Sequence, residues 1–312
     1  MTLLSILDIG LAAIVLGVAA WTVLARDTFG AVVGYVAYGL LVSIVWVRLY
    51  APDVALTEAA IGSGVTGVLL ITAATRLSGN RTEADRGLSI KVPAALLSLL
   101  VTATLAAAVL LLPDNAPSLA PAADQGLAAT GLGNPVTAVL IAYRSFDTML
   151  EKIVLVLAVV GVWSVAPDRF WGGAPAPLGR PAPQGDLVLL AKALTPIGIL
   201  VGLHMFWVGA DEPGGAFQSG AILAAMWIVV MMARMAGPPR INARWLRLTL
   251  VAGPAVFLAV GLAGPRMAGA FFAYPVSVAK PIIIVIEAFM VLTIAATLPM
   301  LVAGPPSRKS AP

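Results

Sequence analysis

The chain has 312 residues, 60% of them hydrophobic and 11% charged, with a mean hydropathy of +0.98. A water-soluble domain is charged at about a quarter of its positions, so soluble-enzyme readings are excluded and a polytopic all-α membrane protein is expected. There is no cysteine, which removes disulfides, thiolate metal sites and a cysteine nucleophile, and the net charge of +4 is scattered through short loops rather than gathered for nucleic acid.

A helix needs about 20 apolar residues to cross a bilayer. Nine segments meet that length, at about 3–24, 30–50, 54–77, 91–112, 147–165, 187–208, 216–236, 244–263 and 277–302. The first reads as an uncleaved spanning helix: it lacks a basic n-region, carries Asp8, and its first cation, Arg26, follows the apolar run. The fifth is short, and the apolar residues before it, Val136 to Tyr143, predict an interfacial or re-entrant piece or an earlier helix start.

With the N-terminus placed outside, the inner loops and the C-terminus hold Arg26, Arg76, Arg81, Arg86, Lys91, Arg169, Arg180, Lys192, Arg234, Arg240, Arg244, Arg247, Arg308 and Lys309. The outer loops hold only Arg48, Arg144 and Arg266, a bias of 14 to 3. The positive-inside rule then predicts an N-out, C-in chain. Two Pro- and Gly-rich joints, 113–133 as an outer loop and 166–186 as a flexible linker, divide it. The expected modules are 1–88 with three helices, 89–166 with two, a linker at 167–186 and 187–312 with four.

Charges near hydrocarbon cost several kcal/mol unless paired or wet, so each one inside a span is a functional candidate. Asp53, after Pro52, reads as an N-cap, whereas Glu58 lies too deep for that. Gly62, Gly64 and Gly67 spell a dinucleotide fingerprint, but no strand precedes them, and close helix packing with Ser63 and Thr66 is the expected role. Asp147 and Glu151, four apart, share a helix face about 6 Å apart along the axis. Thr148 and Glu151 also fit a capping box, which leaves Asp147 and Lys152 unexplained.

In the sixth helix Pro196 predicts a kink, and Gly198 and Gly202 a helix contact. His204 is the chain's one histidine, a residue type suited to proton relay, although a lone histidine near a helix end also suits packing or the interface. Asp211 to Gln218 read as a polar hairpin tip broken by Gly214 and Gly215. Lys280 and Glu287 lie on one face of the last helix, about 10 Å apart along the axis. Lys280 can snorkel, but Glu287, near the bilayer centre, needs a partner, a proton or water.

Three stretches together resemble a family. PDVALTEAAIGSGVTGVLL resembles the C-terminal region of the A subunit of Mrp (Mnh)-type sodium/proton antiporters, a region also found as a separate subunit in membrane-bound hydrogenases. GNPVTAVLIAYRSFDTMLEK is similar to the next segment of that region, with Arg144, Phe146, Asp147, Thr148 and Glu151 matching and Ser145 standing where glycine is usual. DEPGGAFQSGAILAA is similar to the B-subunit motif, with Pro213, Gly214, Gly215, Phe217 and Gln218 matching, and the helix of Glu287 fits that subunit's last helix.

The resemblance implies a fusion of the A-subunit tail with the B subunit, working beside other membrane subunits, among them a large antiporter-like chain, and exchanging cytoplasmic Na+ for external H+. It implies a non-enzymatic transport subunit with no cofactor or metal centre. The acidic residues it points to are Glu58, Asp147 and Glu151. Joined to the charge argument, the expected ion or proton path comprises Glu58, Asp147, Glu151, Lys152, Lys280 and Glu287, with His204 and Arg144 as possible relays. The rival reading is an energy-coupling subunit of a redox complex such as a membrane-bound hydrogenase; a structural clamp with inert charges is a third.

Overall fold

Long apolar runs must close every backbone hydrogen bond internally, and helices do so within one segment. A computed structural model of the chain describes residues 3–77, 88–113, 117–178 and 185–308. Over those residues the chain is all-α apart from one two-stranded ribbon. The helices are α1 (Leu3–Leu24), α2 (Thr28–Arg48), α3 (Pro52–Thr57, Glu58–Val65 and Thr66–Leu77, the middle stretch being π-helical), α4 (Leu88–Leu110), α5 (Ala120–Thr130), α6 (Pro135–Ala138, running into a π turn at Val139–Tyr143), α7 (Ser145–Ser164), α8 (Gly185–Val208), α9 (Ala216–Met232), α10 (Arg244–Ala268) and α11 (Ala279–Ala303).

Each of the nine expected spans corresponds to a helix. Seven are long and apolar enough to cross a bilayer among the described residues. The two exceptions are α7, which carries Asp147, Glu151 and Lys152, and α9, which has 17 residues. The stretch expected as an outer loop contains α5, and α5 and Pro135–Tyr143 are bent by 89° at the break between them. The piece before the fifth span is therefore a separate helix, and the span itself begins at Ser145.

The core centres on α11, which packs against α7, α9 and α10, while α8 packs on α9, and α1, α2 and α3 form a second layer. Ile283, Ile286, Met290, Ile294 and Met300 of α11 are buried among Phe257, Ala224 and Leu246. Without a hydrophobic drive between helices in lipid, small residues and hydroxyls hold such contacts. Gly198 and Gly202 receive Met226 and Leu223, as the GxxxG spacing predicts. The Thr293 hydroxyl enters the backbone ladder of α10, accepting from Gly253 N–H at 2.9 Å and donating to Thr249 C=O at 2.9 Å.

The segment expected as a flexible linker is partly built into the core. Ala174–Pro175 (β1) pairs antiparallel with Pro306–Arg308 (β2), Ile241 N–H donates to Gly173 C=O at 2.9 Å, and Leu178 is buried. Residues 179–184, with Arg180, lie outside the described residues, as do Arg81, Arg86 and Lys309.

Candidate functional site

The site is built around two consecutive glycines. After α8 the chain does not leave the helix end but turns back along it, so that Gly215 N–H donates to Met205 C=O at 2.9 Å. Gly214 and Gly215 have φ of +155° and +117°, conformations that side chains disfavour. Helix α9 therefore starts about a turn below the end of α8, which is why it is short.

Its recessed start aims backbone amides at two carboxylates. Gly214 N–H donates to Asp53 Oδ1 at 2.8 Å, and Ala216 N–H, in the first turn of α9, donates to Glu287 Oε1 at 3.3 Å. A helix N-terminus favours a negative charge, and irregular backbone is tolerated at such depth when it lines a cavity. Gln218 Nε2 donates to Asp53 C=O at 3.3 Å and to Thr57 Oγ1 at 3.2 Å, fastening the start of α3 to α9. Asp53 is thus not an N-cap: Ala51 holds that position without a side-chain bond.

A second break supplies the opposite wall. Asn134 caps α6 through Val136 N–H at 2.8 Å and donates to Gly209 C=O at 3.3 Å and Glu212 C=O at 2.9 Å. Thr137 Oγ1 donates to the same Gly209 carbonyl at 2.6 Å. At the π turn the helix breaks and frees carbonyls, which hydroxyls take up: Thr148 Oγ1 donates to Leu140 C=O at 2.7 Å, and Ser145 and Tyr274 both donate to Ile141 C=O. The capping-box reading of Thr148 and Glu151 is therefore replaced: the N-cap of α7 is Arg144, four residues earlier, and Thr148 bonds to the preceding segment.

Between these walls lies a cavity of about 640 Å³, lined by α3, α6, α7, the 214–218 turn and α11. Asp53, Thr57, Glu151, Lys152, Gln218 and Glu287 are among its polar lining, with Val54, Leu140, Val154 and Met290 among the apolar lining. Lys152 is 2% exposed and Glu287 3% exposed. The Lys152 ammonium is 3.6 Å from Glu151 Oε2 and 4.3 Å from the centre of the Phe217 ring. Glu287 Oε2 is buried and has no hydrogen-bond partner.

Of the expected path residues, then, Glu151, Lys152 and Glu287 meet in one cavity. Glu58 opens the π stretch of α3 but is folded over Gly62 towards Gly39 of α2, outside the cavity. Asp147 pairs with Arg144 at 2.6 Å, both side chains half or more exposed, beside a separate hollow under Phe271 and Phe272. Lys280 is bound to Asp211 at 2.7 and 2.8 Å. This pair lowers the Asp211 carboxyl below its ordinary value, through the Lys280 bond first. His204 is exposed on α8 and does not line the cavity.

Asp53 and Gln218 are, like Thr148, cavity residues that sequence reasoning assigned to other roles. Their signal was the pairing of a carboxylate after Pro52 with the Gly-Gly turn some 160 residues later.

Known proteins agree with this architecture. Residues 13–79 match the MbhD family model, described as the D subunit of MBH, and residues 187–304 match the domain related to the MnhB subunit of Na+/H+ antiporter. An uncharacterized protein of Methanocaldococcus jannaschii is 27% identical over 151 residues, 44% of this chain and 58% of that protein. A Staphylococcus epidermidis protein named as an antiporter subunit, mnhA2, is 29% identical over 129 residues, 41% of this chain and 16% of that one. The chain thus spans less than two thirds of either relative.

Among solved structures, the fold is similar to a chain of the Mrp complex from Dietzia sp. DQ12-45-1b, with TM-score 0.73 and 23% identity over 97% of this chain and 35% of that one. It is also similar to a chain of the membrane-bound sulfane sulfur reductase, an archaeal respiratory membrane complex, with TM-score 0.57 and 22% identity over 69% of this chain and 97% of that one. The chain is a multi-pass membrane protein that joins a segment matching the MbhD family model to a domain matching the one related to the MnhB subunit of Na+/H+ antiporter.

Proposed function

We propose that this subunit works in a cation/proton antiport complex of the bacterial or archaeal cell membrane, and that the cavity between its two modules handles the exchanged ion. The observation that carries the reading is the convergence of Asp53, the Lys152–Glu151 pair and Glu287 on one cavity. A carboxylate with an unpartnered oxygen beside a cavity can take either a proton or a small cation, and nearby charges set which one it prefers. That competition is the chemical requirement of exchange. Sodium is the cation implied by the resemblance, and the loop charges favour an N-out, C-in chain. The partners on this reading are further membrane subunits, including a large antiporter-like chain, with Na+, H+ and the surrounding lipid.

The match of residues 13–79 to the MbhD model and the likeness to the sulfur reductase chain favour a second reading, an energy-coupling subunit of a redox complex. The test is to purify the complex from its native membrane, identify its chains and reconstitute it in vesicles. Antiport predicts that an imposed pH gradient collapses when Na+ is added with no electron donor present. Proton movement only when a donor is oxidised, with an iron–sulfur arm among the chains, would replace antiport by the second reading.

A further inference from the structure

Phe217 stands in the Pro-Gly-Gly-x-Phe-Gln stretch, yet it makes none of that turn's polar contacts. Its ring lines the cavity and lies under the ammonium of a lysine from the other module, Lys152, at 4.3 Å. Lys152 is almost fully buried, and its one ion-pair partner among the described residues is the neighbouring Glu151, at a loose 3.6 Å. A buried ammonium is strongly drawn to a carboxylate, and two others, Asp53 and Glu287, line the same space. Asp53 is engaged by Gly214 N–H, but Glu287 leaves one oxygen bare. The face of an aromatic ring attracts a cation without neutralising an anion, and it does so more strongly when water is excluded.

We infer that Phe217 is a positioning residue whose ring parks the Lys152 ammonium beside Glu151 and so keeps this built-in cation from occupying the Glu287 carboxylate that an incoming ion must use. The inference rests on the reading of the cavity as an ion-handling site. Without the ring, Lys152 competes for Glu287 as a tethered cation, and a free cation must displace it. Phe217→Tyr preserves the ring face and Phe217→Leu removes it at similar bulk, while Lys152→Met removes the competitor itself.

The test uses the intact complex in vesicles and follows Na+-dependent proton release together with binding of radioactive Na+. Phe217→Leu is expected to raise the Na+ concentration for half-maximal rate on the order of ten-fold, the size of a desolvated cation–π contact, with a smaller change in the maximal rate. Phe217→Tyr should retain most of the affinity. In a Lys152→Met background the same Leu substitution should change Na+ binding less than about two-fold; binding is read even if that background is slow in transport. An unchanged Na+ dependence in Phe217→Leu, or an equal loss with and without Lys152, overturns the inference and leaves the antiport reading standing. Absence of Na+-dependent exchange and Na+ binding in the unaltered complex overturns both.

Discussion

Two sets of charges interrupt the apolar helices, and the fold treats them differently. At the helix ends, Arg144–Asp147 and Lys280–Asp211 form direct pairs at 2.6 to 2.7 Å with side chains 34% to 69% exposed. In the cavity, Lys152 and Glu287 are buried; Lys152 has only a loose ion pair, and one oxygen of Glu287 has no hydrogen-bond partner. The first set is matched and solvated, so substituting it loses little. The second is held by amides, an aromatic face and a helix N-terminus, and none of these supplies a full opposite charge. That incomplete compensation suits groups that exchange one ion for another.

The largest way to break the contrast is Glu287→Gln, which removes the bare carboxylate while keeping its shape. Exchange is expected to fall at least 100-fold, with the assembled complex still recovered from membranes. Next comes Thr293→Val, at a side chain that does not line the cavity. It leaves Gly253 N–H and Thr249 C=O of α10 without their bridge, at a cost of about 1–3 kcal/mol, to be read as a lower melting temperature with the Na+ dependence unchanged. Asn134→Ala should cost a similar amount, because it uncouples α6 from the carbonyls of Gly209 and Glu212.

Asp147→Asn sharpens the comparison from the other side. Its pair with Arg144 is exposed, so a change of less than about three-fold in exchange is expected, in keeping with the small worth of such pairs. The smallest effect is on pH dependence. Asp211 has its carboxyl lowered in the fold by Lys280; the pair therefore stabilises fully above the ordinary carboxyl value, about pH 4, and is lost as pH falls through the lower folded value. Thermal melts of Asp211→Asn and the unaltered chain should differ by under about 1 kcal/mol at neutral pH and converge in acid.

Most of the helices were legible in the sequence, because apolar length alone determines them. The breaks were less so. Val136 to Tyr143 showed as an extra apolar piece, but its angle to α5 depends on Asn134 reaching carbonyls 75 to 78 residues away. Glu287 stood out because no local device satisfies a carboxylate so deep in a helix. Asp53 did not, since Pro-Asp at a helix start has a sufficient local explanation, and only the folded chain brings Gly214 to it. Glu58 and Asp147 carried the motif resemblance yet lie outside the cavity, since neighbours along one helix can face different partners. Spacing identifies a shared face, not what that face meets.

The central claim is that the buried charges, not the matched pairs at the helix ends, carry the exchange. Its most direct test is Na+-driven proton release from vesicles holding equal amounts of assembled complex with Glu287→Gln or Asp147→Asn. The account predicts near-complete loss in the first and a rate close to that of the unaltered complex in the second. Full activity of Glu287→Gln, or loss confined to Asp147→Asn, would contradict it.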